Sequence, residues 1–482
     1  MRSALPAAFS VSFLALLAFS FQNPPDGDWP SYGRDPGGQR YSPLADINRE
    51  NVARLKVAWT FHTGDAYQPK HGRATAFEAT PIYVEGILYL STPLGHVFAL
   101  DPVSGKQRWV YDAKVPRDMG YGDFASRGVS TWKSGRERRI FVATVDARLI
   151  ALNAATGKPA AGFGDNGTVD LRHNLRIPPK PDGFADYEET SPPAVVRNTI
   201  VVGSGVADNG SVDQPSGEVR GFDVVTGKLK WTWHPLSGAK APGAANTWSI
   251  IAADPQRNLV FLPTSSPSPD YYGGERPGDN RYANSIVALR ADTGELVWAF
   301  QTVHHDLWDY DVACPPVLFD VRRNGRAIPA VAAGPKSGNY FILNRETGEP
   351  IFGVEERSVP KSDVPGEAAS PTQPFPLAPK PLAPQKFPVE EAFGANEADR
   401  KWCRDEISKL RNEGVFTPPS LRGSLLVPGN VGGMAWGGAA FDAQHRLLIV
   451  PVNNLAAQVR LIPRADFDRE RETAGRDLKG GW

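Results

Sequence analysis

An all-β propeller is the fold this 482-residue sequence predicts, and three observations carry the prediction. The first is a repeat: ALDPVSGKQRW (99–109), ALNAATG (151–157), GFDVVTGKLKW (221–231), ALRADTGELVW (288–298) and ILNRETGEPIF (342–352). Each copy is a strand ending in a Ser/Thr-Gly turn, followed by a strand that sets an aromatic residue four positions beyond the glycine: Trp109, Trp231, Trp298 and Phe352, with Ala161 in the second copy. The turn glycines are 52, 70, 67 and 54 residues apart, one four-stranded blade with variable loops per period. The second is composition, with 47 glycines and 44 prolines, which suits many short strands joined by turns better than a helical core. The third is the run of strand-length apolar segments between the copies, PIYVEGILYLST (81–92), RIFVATVD (139–146), TIVVGSG (199–205) and LVFLPTS (259–265).

Read in order, the chain starts with Met1 and Arg2, then an apolar run over 4–21, then a polar, proline-containing stretch to Pro30. That order marks residues 1–25 as a signal peptide or N-terminal anchor and implies a periplasmic location. The propeller domain is expected over 26–464. The aromatic of each repeat reads as a wedge between neighbouring sheets, where a large flat ring covers apolar area. Residues 359–388 hold nine prolines, which excludes a helix or central strand and suits an excursion over the surface. A helix is expected from about Val389 to Asn412, with Trp402, Cys403, Ile407 and Leu410 at helical spacing and Gly414 as its stop. Strand-like sequence returns in LRGSLLVPG and AAFDAQHRLLIVPV, and 465–482 is a polar tail.

Several function classes drop out. Fifty-three basic residues balance 53 acidic ones at a pI of about 7.1, so there is no concentrated basic charge for nucleic acid. GSGVAD (203–208) lacks the third glycine of a dinucleotide turn, and no phosphate loop, HExxH or CxxC pair occurs. Cys314 and Cys403 are too few for a disulfide framework and read as packed thiols. An oxidoreductase built as a propeller therefore needs an organic cofactor held in the central channel by side chains from many blades.

The run DWPSYGRDPGGQRYSPLADINRENVARLKVAWTF (28–61), with RGVSTW (127–132), TSPP (190–193), GSGVADN, NTW (246–248), QTVHHDLWDYD (301–311), PKSGN (335–339), FTPPSLRGSLLVPGN (416–430) and LIPR (461–464), resembles the PQQ-dependent quinoprotein dehydrogenases, above all their membrane-associated glucose dehydrogenase branch. The resemblance extends from residue 28 to about 464 and implies an eight-bladed quinoprotein propeller, here incomplete at the C-terminus. Its last blade would close on a strand around Leu55–Phe61, and a second chain could supply the missing blades.

The resemblance also implies roles. Asp309 falls on the catalytic carboxylate, a base for the hydroxyl proton that leaves as hydride departs from carbon. Asp306 and Asp311 are near enough to be mistaken for it. His304 and His305, adjacent on an expected strand, would point to opposite faces and share no metal. Asp208 and Asn209 fall on the metal position, with Ser266 adding an oxygen, a set for Ca²⁺ with Mg²⁺ as the alternative. Trp248 matches the tryptophan flat against the quinone, Arg127 the partner of a cofactor carboxylate, Lys336 a donor to the quinone oxygens, and Asn453 a further cofactor contact. Two departures limit the transfer. Asp123 stands where the glucose branch can carry a histidine, and Ala125 and Ser126 replace the paired cysteines of the methanol branch. The substrate class stays open between aldoses, polyols and alcohols, with a membrane quinone or a cytochrome as acceptor. The alternatives are a non-catalytic propeller scaffold and an inactive truncated remnant.

Overall fold

The computed structural model describes residues 27–70, 72–180, 186–207, 211–238 and 240–474. The signal or anchor segment therefore lies outside the described residues, as do Asp208 and Asn209. Among the described residues no helix is long and apolar enough to cross a membrane.

Six antiparallel sheets follow one another along the chain. The first is Ile82–Val84, Ile87–Ser91, His96–Leu100 and Gln107–Asp112; the second is Ser130–Ser134, Glu137–Thr144, Arg148–Asn153 and Thr168–Asp170. The third is Ala194–Val196, Thr199–Val202, Val219–Asp223 and Leu229–Trp233; the fourth is Ala252–Asp254, Leu259–Pro263, Ser285–Arg290 and Leu296–Gln301. Val317–Arg323, Arg326–Ala333 and Phe341–Asn344 form the fifth, and the pair Ala440–Asp442 and Leu447–Ile449 the sixth. In every sheet sequence neighbours are ladder neighbours, the meander of a propeller blade. From the second sheet to the sixth, the first strand of each blade lies beside the first strand of the next, so these strands line a common axis.

Apolar residues alternate on both faces of each sheet, so the core is a series of layers between blades. Ile82, Val84, Tyr89 and Val97 of the first blade meet Ile140, Val142, Ile150 and Leu152 of the second. Val201 and Val219 of the third meet Val260, Leu262 and Val287 of the fourth. Three of the four repeat aromatics lock these layers as expected, whereas Phe352 is 36% exposed and lies under Arg323. Trp109, Trp231 and Trp298 each lie against the turn glycine of the following repeat, so closely that a Cβ on Gly157, Gly294 or Gly348 would fall 2.5 to 2.7 Å from the ring. Each indole donates to the carbonyl three residues before that glycine: Ala154 at 2.9 Å, Ala291 at 3.1 Å and Arg345 at 3.0 Å. Trp59 does the same ahead of the first blade, against Gly105 with its indole on Pro102 O at 3.0 Å. In the second copy, where Ala161 holds the aromatic position, Phe163 approaches the next turn and Gly164 N donates to Thr226 O at 2.9 Å.

The segment before the first blade crosses the axis. Trp29 pairs with Tyr83, and the carbonyls of Pro36, Gly37 and Gln39 accept from Ala253, Leu318 and Phe441, residues of the first strands of blades four, five and six. One short stretch thus ties four blades together at one end of the channel.

Three expectations need correction. The helix is Glu397–Ser408, preceded by a single turn at Val389–Glu391, because Asn396 caps it by accepting from Asp399 N at 3.0 Å. None of its residues is buried, so the apolar spacing is not a core stripe, and Gly414 lies six residues past its end. Residues 55–61 form no strand: no ladder partner lies beside them among the described residues, and Trp59 and Phe61 pack as side chains on Leu88, Leu90 and Phe98. His304 and His305 lie in turns rather than a strand, and His305 has φ +43. The proline-rich stretch is an excursion as expected, and its Thr372–Pro376 pairs as a hairpin with Val354–Ser358, just ahead of it. Cys314 is buried and Cys403 half-buried, both free.

Candidate active site

The chain segments that lead into the first strands converge at one end of the channel. Arg127 stands three residues before its blade's first strand, and Thr190, Trp248 and Trp436 stand four before theirs. These segments are loops, so their side chains are free of ladder alternation and can all face the axis.

Asp309 sits in the left-handed region at φ +57, in the turn 303–309. Its Oδ1 accepts from Lys336 Nζ at 2.7 Å, and the same ammonium lies 2.9 Å from Asp311 Oδ2. Burial works against the charge on Lys336, but the two carboxylates outweigh it and hold the ammonium well above the usual lysine range. Asp311 is the hub: it also accepts from the Trp248 indole at 3.0 Å and from Ser266 N at 2.7 Å. Asp306 is turned away from this group. It accepts from the Ser266 hydroxyl and from Tyr310 N, while Arg276 donates to its carbonyl, and burial raises its carboxyl.

Across the axis, Arg127 is fully buried and bonds Thr190 Oγ1, Asp123 at 2.7 Å and Glu78 at 3.0 Å. Its guanidinium lies 5.2 Å from the Trp248 ring centre and 5.0 Å from that of Trp436, and Lys336 Nζ is 6.0 Å from the Trp248 ring. Glu188 shapes the Asp123 loop by accepting from the backbone N–H groups of Gly122 and Asp123; burial nevertheless pushes its carboxyl up to about 8.

Arg127, Trp248, Lys336 and Asp309 are therefore brought together, with Ser266 bonded to both Asp306 and Asp311. Asn453 arrives indirectly: it bonds the carbonyls of Gly432 and Gly433, and Gly432 packs on the Lys336 side chain. Trp436, Glu78 and the hub role of Asp311 escaped sequence reasoning; the glycine-flanked tryptophan in GGMAWGG was the available signal for the first. His304 and His305 have separate partners, Glu356 at 3.2 Å and Glu367 at 2.8 Å.

A family model described as the glucose/ethanol/alcohol dehydrogenase β-propeller domain of PQQ enzymes matches residues 29–481. The chain belongs to the PQQ-dependent dehydrogenase family. It is 41% identical to the quinoprotein glucose dehydrogenase of Escherichia coli over 95% of this chain and 60% of that one. It is 38% identical to the quinate/shikimate dehydrogenase of Acinetobacter baylyi and 34% to the glycerol dehydrogenase large subunit of Gluconobacter oxydans, over 93% and 92% of this chain and 59% and 62% of theirs. The quinohemoprotein alcohol dehydrogenase of Comamonas testosteroni superimposes at a TM-score of 0.65 with 27% identity, covering 89% of this chain and 58% of that one. The chain thus spans about three-fifths of the length of the family members it matches.

The residues present fit the family's cofactor. PQQ is planar, polyanionic and rich in acceptor oxygens; the cradle offers an indole face, two buried cations beside it, and Arg127 Nε, buried without a hydrogen-bond partner. For a cation, no group of three or more His, Cys, Asp or Glu among the described residues could hold a metal ion, and Asp208 and Asn209 lie outside those residues.

Proposed function

We propose that this chain forms the catalytic propeller of a periplasmic PQQ-dependent dehydrogenase that oxidises a CH–OH group of an aldose, polyol or alcohol and passes electrons to a quinone or cytochrome. The observation that carries the proposal is the Asp309–Lys336–Asp311 array beside the Trp248 indole, an anion and a cation held at one edge of a flat cationic cradle. Arg127, Trp248, Lys336 and Asn453 would hold the cofactor, and Asp208, Asn209 and Ser266 the ion. When bound, PQQ supplies the carbonyl that accepts hydride, and Ca²⁺ or Mg²⁺ polarises it.

Asp309 takes the hydroxyl proton of the substrate, its carboxylate oriented by the ammonium of Lys336. Trp248 cannot tilt, because its indole N–H is committed to Asp311 and its carbonyl to Ser191 at 2.6 Å. Asp123, 40% exposed and paired with Arg127, is the polar group through which the cradle meets an incoming hydroxylated substrate. Relatives named for glucose, quinate or shikimate, and glycerol support a polyhydroxylated substrate class.

The test is the full chain supplied with PQQ and Ca²⁺, assayed for thermal stabilisation and for ferricyanide-linked oxidation of glucose, glycerol and ethanol. Asp309→Asn is expected to keep the stabilisation and lose about 10²- to 10⁴-fold in rate, the range of a removed general base. Absence of any PQQ-dependent stabilisation in the unchanged chain would overturn the proposal in favour of a scaffold.

A further inference from the structure

Asp309 ends a turn whose shape is imposed from outside. Between the strand Leu296–Gln301 and Asp309 the chain forms bends rather than a ladder, and both His305 and Asp309 sit in the left-handed region, at φ +43 and +57. Residues other than glycine keep such conformations where the surrounding structure over-determines them. On one side the fourth blade supplies that restraint, through Arg276 on the Asp306 carbonyl and Gly278 O on the His305 ring. On the other side stands the proline-rich excursion, which belongs to no blade.

The excursion grips the turn at successive points. Gln373, fully buried in Thr372–Pro376, clasps the backbone of His304: its Oε1 accepts from His304 N at 2.8 Å and its Nε2 donates to His304 O at 2.7 Å. Glu367, with a side chain 2% exposed, accepts from His305 Nε2 at 2.8 Å, while Nδ1 of the same ring donates to Gly278 O at 2.6 Å. The imidazole is thus held at both ends, four residues before Asp309. Gly273 permits the approach: its N–H donates to the other oxygen of Glu367, and a Cβ there would fall 2.2 Å from His305 Nε2. Burial opposes the charge on Glu367, but the His305 ring and the N–H groups of Gly273 and Ala368 outweigh it and hold the carboxyl below its usual range. Beyond the turn, Phe375 meets Phe416 edge-on at 5.6 Å, and Phe416 lies 5.1 and 6.0 Å from the rings of Trp308 and Tyr310, the two neighbours of Asp309.

We propose that the excursion is a clamp on the catalytic turn, and that Glu367 and Gln373 are positioning residues for Asp309. They act through His305 and His304 on where the base stands, and neither touches the cradle that would hold the cofactor. The proposal rests on the dehydrogenase reading above. A base must stand within hydrogen-bond reach of the hydroxyl whose proton it takes, and a displacement of about 1 Å caused far from the chemistry can cost about 10²-fold in rate. Release of either grip lets the turn relax from its left-handed residues, so the loss falls on the chemical step and leaves cofactor and substrate binding in place.

The test uses three isosteric variants of the full chain: Glu367→Gln and Gln373→Glu, each of which turns one buried hydrogen bond into a clash of like groups, and Glu356→Gln as a control. Glu356, on the partner strand of the hairpin, bonds His304 Nε2 at 3.2 Å but is 48% exposed, and an exposed pair of that kind restrains little. In the cofactor-free chain, amide hydrogen exchange followed by mass spectrometry should quicken at least about fivefold over residues 302–310 in the two buried variants, with the control and the blade strands unchanged. With PQQ and Ca²⁺ loaded, ferricyanide-linked oxidation should show kcat lowered about 10- to 10²-fold in the same two variants, KM within about twofold, and the thermal stabilisation by PQQ retained. The proposal is overturned by a kcat within about twofold of the unchanged chain in both buried variants, by an equal loss in the control, or by loss of PQQ stabilisation along with kcat, which marks a general weakening of the fold. Absence of activity in the unchanged chain would strike the dehydrogenase reading instead, leaving hydrogen exchange to judge the clamp.

Discussion

Lys336 shows how much the cradle depends on charge balance at single residues. Its ammonium is nearly buried between Asp309 and Asp311, and removing it would strand two carboxylates in a poorly solvated site. The carboxyls with raised pKa give a second, measurable consequence. Glu188 binds its proton up to about 8 in the folded chain against an ordinary 4.5. Between those values the folded state holds a proton that the unfolded state has released, so this group's contribution to stability is complete below about 4.5 and is lost as the pH rises through about 8. Urea unfolding of the cofactor-free chain at pH 5 and pH 8 should show lower stability at pH 8, and Glu188→Gln should reduce the difference by up to about 1.4 kcal/mol per unit of pH. Glu85 and Asp101, both lowered to about 2, act only in acid and cannot mimic the effect. An unchanged pH dependence in the variant would mean that Glu188 is ionised in the folded chain. Of the cradle itself, Asp309, Arg127, Trp248 and Lys336 were legible because each sits in a distinctive motif. Asp311 was passed over as a near neighbour of Asp309, since nothing in three closely spaced aspartates says which one faces the indole.

At the scale of elements, the wedge contacts make a sharper claim than general packing. Four of the five repeat turns, at Gly105, Gly157, Gly294 and Gly348, need their glycine twice: once for the left-handed φ, and again because a preceding indole occupies the place of a Cβ. Gly348→Ala meets both costs, with φ +77 and a Cβ 2.7 Å from the Trp298 ring, whereas Gly135→Ala, at φ +55 in open space, meets only the first. Gly135→Ala should therefore cost about 1–2 kcal/mol, the penalty of a left-handed residue with a Cβ. Gly348→Ala should cost clearly more, and its excess should shrink when Trp298→Ala is added, although Trp298→Ala alone loses about 3–5 kcal/mol. Chemical denaturation of the four variants decides it; additive losses would mean the indole moves aside freely. The repeat made these elements readable from sequence, since the period, the turn and the aromatic recur together. The helix was legible from its spacing but its bounds were set too wide, because only the Asn396 cap marks where it starts.

For the whole molecule, the two borders of the blade series differ from everything between them. Internal blades are covered on both faces, but Leu447 and Ile449 on the last strand of the sixth sheet are 56% and 59% exposed, and Leu55 and Val57 ahead of the first blade are 59% and 83% exposed. Among the described residues the strand Leu447–Ile449 pairs with Ala440–Asp442 alone, so its other edge offers N–H and C=O groups beside apolar side chains, a template for another strand. Concentrated alone, the chain should therefore associate with itself through these borders, and a partner chain that covers them should suppress this. Leu447→Lys with Ile449→Lys places charge on that edge at exposed positions, where substitution changes stability by no more than about 0.5 kcal/mol each. Sedimentation velocity across a concentration series should show the unchanged chain moving toward larger species and the double variant remaining monomeric, with PQQ stabilisation equal in the two because neither residue contacts the cradle. If both associate alike, the border at Leu55 and Val57 is sufficient on its own, and the same measurement on Leu55→Lys with Val57→Lys separates the two edges.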